Sequence, residues 1–116
     1  CADGSETGLG ILPGSDPRRL VLHIDGGGAC WNEQTCYELV TAATVGTPYD
    51  RSELDFDVGG IEEARLYAPA DPASPVAGAT VLHVPYCTGD LHLGDAVVRH
   101  GPSERLTHHV GYRNML

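Results

Sequence analysis

Three consecutive glycines, Gly26, Gly27 and Gly28, interrupt the stretch LVLHIDGGGACWNEQTC that runs from Leu20 to Cys36. A glycine run directly after an apolar strand leaves backbone N–H groups without side-chain cover, so they can face an anion. Two chemistries use such an arrangement: phosphate binding, and stabilisation of the oxyanion in acyl transfer. A phosphate loop of the Walker type closes on Gly-Lys-Ser/Thr. Here Gly-Ala-Cys-Trp stands in that place, and the chain has no lysine, all seven of its basic residues being arginines. A dinucleotide fingerprint would need glycine where Trp31 stands. The H-G-G-G type of loop, whose amides form half of an oxyanion hole, is the better match. A glycine turn required only for close packing is the competing explanation.

The other residues capable of chemistry are histidines and cysteines. His23 lies inside an apolar strand and reads as a packed core residue. Asp25 is either a turn former or a support for the glycine loop. His83, Cys87 and His92 invite a metal, but they alternate between strand and loop and lack a fourth ligand at a useful spacing. No metal and no cofactor are therefore expected. Cys1, Cys30, Cys36 and Cys87 match neither a zinc ribbon nor a C-x-x-C redox pair. An even count suits two disulfides in an exported protein, with four buried thiols in a cytosolic enzyme as the alternative.

These residues must be positioned by few elements. A short strand over Gly8–Leu12, the turn formers Pro13-Gly14-Ser15-Asp16-Pro17 and a strand over Arg19–Ile24 predict an antiparallel hairpin. Asn32 is a candidate N-cap, with Glu33 in the first turn. Cys36, Leu39, Val40 and Ala43 then share one helical face, and Gly46 can close that helix. From Thr47 to Thr80 the chain reads as a long irregular connection, with Gly59-Gly60 and several prolines. Thr80–Cys87, TVLHVPYC, is a second apolar strand, so a helix-containing crossover between two such strands predicts a parallel pair. The loop Cys87–Asp95 follows, and a helix carrying Leu106, Val110 and Met115-Leu116 is expected to start at Ser103 or Glu104. A sheet of so few elements is covered on one face only, leaving Val21, Leu22, Val81 and Leu82 partly exposed.

With 116 residues the chain holds one domain at most. The net charge of −9 is built on scattered arginines, of which only Arg18 and Arg19 are adjacent, and this argues against nucleic acid as a partner. No apolar run is long enough to span a membrane. Both ends of the sequence, Cys1 and Gly-Tyr-Arg-Asn-Met-Leu, suggest a partial chain.

Three segments, Cys-Ala-Asp-Gly-Ser at Cys1–Ser5, the block His23–Cys36, and Val84–Gly94 (VPYCTGDLHLG), together resemble the pectin acetylesterase/Notum family of α/β-hydrolases. Gly60-Ile61 and His109–Tyr112 are weaker members of the same series. The resemblance implies an α/β fold, with residues 1–116 forming the N-terminal portion of a single α/β-hydrolase domain. It also implies a mostly parallel sheet with an N-terminal hairpin, incomplete in this chain. The implied activity is that of a secreted serine carboxylic-ester hydrolase acting on an ester such as an acetylated polysaccharide. The amides of Gly27 and Gly28 would donate to the oxyanion, with Ala29 and Trp31 beside the substrate. Ala29 occupies a position that is aromatic in Notum. The cysteines would pair as Cys30–Cys36 and Cys1–Cys87. None of the five serines (Ser5, Ser15, Ser52, Ser74 and Ser103) sits in a G-x-S-x-G elbow, so the sequence stops before the nucleophile, and His92, His108 and His109 are not the catalytic base. The rest of its own chain would be needed for activity. A non-catalytic binding module or pseudoenzyme on the same scaffold is the alternative.

Overall fold

The β-branched and leucine-rich runs LVLHI and TVLHV form strands in the computed structural model, which describes residues 1–64, 68–102 and 105–116. The chain packs as two compact units, one built from Gly8–Ile24 and Asp50–Pro85, the other from Cys1–Thr7, Asp25–Tyr49 and Tyr86–Leu116.

The first unit is a three-stranded sheet under one helix. Strands β1 (Gly10–Leu12), β2 (Leu20–Ile24) and β3 (Thr80–Val84) lie in the order β1-β3-β2. β2 and β3 run parallel, with Val21 opposite Val81 and His23 opposite His83. β1 runs antiparallel to β3, with Leu12 opposite Val81 and Gly10 opposite His83. Helix α1 (Arg51–Glu63) covers the face carrying Val21, Val81 and Leu12: Ile61 is buried with Leu12 and Val81, and Val21 and Val58 pack against them. Leu54, Val58 and Ile61 recur at helical spacing, which sets that face. Asp50 caps α1, its carboxylate accepting from the amides of Ser52 at 2.7 Å and Glu53 at 3.4 Å. Hydrogen bonds from the Ser52 hydroxyl and amide hold the Asp50 carboxyl below the usual carboxylate range. The cap is thus complete at neutral pH and is lost only as pH falls through that lowered value.

The second unit holds a π-helical turn (Gln34–Glu38), an antiparallel hairpin of β4 (Ala96–Arg99) and β5 (Leu106–His109), and the short helix α2 (Gly111–Asn114). One cluster of its core is made of small residues, Ala2, Cys30, Cys36, Ala42 and Val45, with Tyr37 packed against them, and Tyr49 and Tyr86 are buried in the same unit. Both disulfides are formed, Cys1–Cys87 with a Cα separation of 4.7 Å and Cys30–Cys36 with 4.9 Å. Among the described residues no helix is long and apolar enough to cross a membrane.

Several expectations are overturned. Among the described residues the sheets are small and mixed, with two of the three strand pairings antiparallel, so the mostly parallel sheet of an α/β-hydrolase is not what this chain forms. The N-terminal hairpin is absent as well: β1 pairs with β3, not with its sequence neighbour β2. Gly10 permits that placement, since a Cβ there would lie 2.9 Å from Leu54 Cδ1 and 3.2 Å from His83 Cβ. The helix expected from Asn32 to Gly46 is a single π turn, after which Val40 adopts a left-handed φ of 48°. Of its supposed apolar face Cys36 is buried, but Leu39, Val40 and Ala43 are exposed. The irregular stretch from Thr47 contains α1. The helix expected to carry Leu106 is β5, and its start at Ser103 or Glu104 lies outside the described residues. Leu22 is exposed and Val21 and Leu82 half-buried as expected, but Val81 is fully buried under α1.

Within α1, a Cβ added at Gly59 or Gly60 would meet nothing within 4 Å. Each glycine weakens the helix through backbone freedom alone. Gly59→Ala and Gly60→Ala are each expected to stabilise the protein by about 0.5–1 kcal/mol in urea unfolding. A loss of stability in both would contradict the helix.

Candidate functional site

The glycine loop belongs to the second unit. Gly27 and Gly28 have φ of 156° and 88°, the left-handed side of backbone space that glycine enters freely. Neither position has room for a side chain. A Cβ on Gly27 would lie 2.8 Å from Ala43 Cβ, and one on Gly28 would strike the Thr41 carbonyl oxygen. The close approach arises because Gly28 bridges Ala42, with the Ala43 amide donating to the Gly27 carbonyl at 2.7 Å. Gly26, Gly27 and Gly28 are exposed, and among the described residues no acceptor pairs with the amides of Gly27 or Gly28. Packing therefore demands these glycines, and the loop also offers two open N–H groups.

Tyr86 holds the loop from behind. Its ring is buried (1% exposed), its hydroxyl donates to the Gly28 carbonyl at 2.7 Å, and it accepts from the Leu91 amide at 2.8 Å. Burial pushes the Tyr86 hydroxyl above its ordinary range, helped by the negative charge of Asp90 and opposed by the Leu91 amide. The phenol thus stays a neutral donor. The His92 ring lies tilted at 46° against Tyr86 with ring centroids 4.8 Å apart, and its Nε2 donates to the Asp25 carbonyl at 2.8 Å. Leu91 and His92 both sit at φ 58°, a conformation that costs a side-chain-bearing residue about 1–3 kcal/mol. Asp90 holds them there: its carboxylate accepts from the Thr88 hydroxyl at 2.6 Å, the His92 amide at 3.0 Å and the Gly111 amide at 2.7 Å.

The expected site residues fall as follows. Gly27, Gly28 and Ala29 share the loop, and Thr41 Oγ1 donates to the Ala29 carbonyl at 2.6 Å. Trp31 is 66% exposed, with its amide donating to Thr35 Oγ1 at 3.0 Å. The Cys30 amide donates to the Gly89 carbonyl at 2.9 Å, which ties the loop to the segment after Cys87. Cys87 is committed to its disulfide and His92 to the Asp25 carbonyl. In the first unit His83, fully buried, lies 3.0 Å from His23 through their Nδ1 atoms and 3.6 Å from Asp57 Oδ2. His23 and Asp57 are partners that pattern reading missed. Tyr86, Asp90 and Thr41 were missed too: Tyr86 and Asp90 stood in the sequence block VPYCTGD, but only the fold shows their hydroxyl and carboxylate turned onto backbone. The hydroxyls of Ser5 and Ser52 each donate at 2.6 Å to a nearby carboxylate, Asp3 and Asp50.

Tyr86→Phe removes the bond to the Gly28 carbonyl and the acceptor for Leu91. It is expected to cost about 1–3 kcal/mol in unfolding free energy. Amide exchange separates the loop's two kinds of N–H: Gly27 and Gly28 should exchange freely, while Cys30 and Ala43 should be protected. Protection of Gly27 and Gly28 equal to that of Ala43 would contradict open donors.

No family model, no curated protein and no solved structure matches this chain.

Proposed function

We propose that this chain supplies the oxyanion-binding loop of an exported carboxylic-ester hydrolase of the pectin acetylesterase/Notum kind. The observation that carries the reading is that Gly27 and Gly28 are exposed and, among the described residues, no acceptor pairs with their amides, with the Gly28 carbonyl fixed by Tyr86. Two disulfides suit an oxidising compartment. In this reading a serine supplied by further sequence attacks the ester carbonyl, and the carbonyl oxygen takes up negative charge. The two glycine amides meet that charge, each worth about 3–4 kcal/mol to the transition state. Tyr86 acts as a positioning residue, since it touches the loop and not the ester. Ala29 and the exposed Trp31 flank the site, with an acetylated polysaccharide as the substrate class.

A second reading, a binding module without catalysis, is favoured by the serines at hand: the hydroxyls of Ser5 and Ser52 serve local carboxylates and not a histidine. The two readings separate in an assay of p-nitrophenyl acetate hydrolysis. The 116-residue chain alone should show no turnover sensitive to serine reagents, and a chain extended by its downstream sequence should gain it. In that extended protein Tyr86→Phe should lower kcat with KM nearly unchanged, because the loop's donors matter in the transition state. Serine-reagent-sensitive turnover by the short chain would place the nucleophile elsewhere. Absence of turnover in the extended chain would favour the module.

A further inference from the structure

We propose that reduction of the Cys30–Cys36 disulfide converts this corner of the protein into a zinc site, with His109 as the third ligand. The inference is independent of the ester-hydrolysis reading. One donor atom from each of Cys30, Cys36 and His109 lies within 4.8 Å of the others. Tetrahedral zinc with two thiolates and an imidazole needs donor separations of about 3.3–3.8 Å, so opening the disulfide and a small inward shift suffice. The imidazole is already oriented for the task. His109 Nδ1 donates to the Thr88 carbonyl at 2.8 Å, which leaves Nε2 with its lone pair. Histidines that bind zinc are held in the same way, through a bond from the other ring nitrogen to a carbonyl. In that tautomer the Nε2 lone pair accepts a hydrogen bond from His100 Nε2 at 3.0 Å, so an incoming ion has to displace that bond. The anchors are local: Cys36 lies within the π turn and Cys30 just before it, and Tyr37 in that turn bonds through its hydroxyl to Thr107 on β5, two residues before His109.

The chemistry is a dithiol exchange followed by metal binding. A dithiol reductant gives two electrons and two protons to the sulfur–sulfur bond and closes to its own disulfide, leaving Cys30 and Cys36 as thiols. Zn²⁺ then replaces both thiol protons, which pass to solvent, and the neutral His109 ring coordinates without losing a proton. Two soft thiolates with an imidazole select zinc, or cobalt as its spectroscopic stand-in, over magnesium or calcium. The oxidised chain lacks both thiolates, so the site is gated by redox state.

The test uses the full 116-residue chain, treated with limiting dithiol so that Cys30–Cys36 opens while Cys1–Cys87 stays closed, as checked by thiol labelling and peptide mapping, then freed of reductant under anaerobic conditions and titrated with Co²⁺ and then Zn²⁺. One equivalent of cobalt should produce thiolate-to-cobalt charge transfer and tetrahedral d–d bands, and zinc should displace it with release of two protons. The oxidised chain should show neither. Cys30→Ser/Cys36→Ser should abolish the bands. His109→Gln should weaken binding by about 100-fold or more, since losing even an outer-shell partner costs about 10–100-fold. Bands that survive Cys30→Ser/Cys36→Ser would assign the thiolates to Cys1 and Cys87 and overturn the site. Affinity unchanged by His109→Gln would mean that the reduced chain binds as an unstructured dithiol, and would overturn it too.

Discussion

The covalent link between Cys1 and Cys87 is the constraint on which the second unit depends. That unit is gathered from three separate stretches of chain, and apart from Tyr49 and Tyr86 its buried apolar residues are mostly alanine and cysteine. Such side chains bury little apolar area, so closure has to come from elsewhere. In the chain-entropy picture a loop of this length is worth about 4.6 kcal/mol, against about 2.4 for the Cys30–Cys36 loop. Backbone hydrogen bonds follow where the long link leads. Ala2 donates to the Cys87 carbonyl at 2.7 Å, and His108 donates to the Ala2 carbonyl at 2.8 Å, so the N-terminal segment is laid between the turn after Tyr86 and strand β5.

The glycine loop rests on this framework. Tyr86 precedes the linked Cys87 directly, and its hydroxyl reaches the Gly28 carbonyl. The two explanations of the glycine run, close packing and open amides, turn out to be one geometry. Thr41 presses so near that only glycine fits at Gly28, and in the same arrangement the carbonyls of Gly27 and Gly28 accept from the Ala43 amide and the Tyr86 hydroxyl, while among the described residues no acceptor pairs with their amides.

Strong local signals in the sequence carried through, and long-range ones did not. β2 falls within a residue of its apolar run, β3 starts at Thr80 as read but ends at Val84, three residues short of Cys87, and the two pair in parallel, because β-branched alternation is a local property and the intervening chain is too long for a tight turn. The cysteine pairs follow the resemblance. The turn formers at Pro13–Pro17 do mark a reversal, yet they say nothing about which strand β1 joins. That choice rests on the missing side chain at Gly10, which admits Leu54 of α1 and His83 of β3. Helix α1 was hidden by Gly59-Gly60, although Asp50 and Glu53 stand at capping spacing before it. Conversely, the apolar spacing after Asn32 suggested a helix that the chain abandons. The bond from Leu39 N to the Gln34 carbonyl and the left-handed Val40 divert it toward the loop. Side chains that act on backbone, such as Tyr86 and Asp90, leave no periodic trace.

Strand order β1-β3-β2 also has a bearing on the protein's behaviour in concentrated solution. β2 is an edge strand whose outward row, Leu20, Leu22 and Ile24, is 64%, 53% and 46% exposed, and it bears neither proline nor bulge. Edge strands of that kind are templates for cross-β growth unless charge guards them. The guards here stand at the ends: Arg18 and Arg19 before the strand, Asp25 after it. Arg19 is tethered, its guanidinium donating to the Pro75 and Ala77 carbonyls, so it shields by fixed position and not by reach. Gatekeeping of this edge strand thus falls on three flanking charges in a chain without a single lysine.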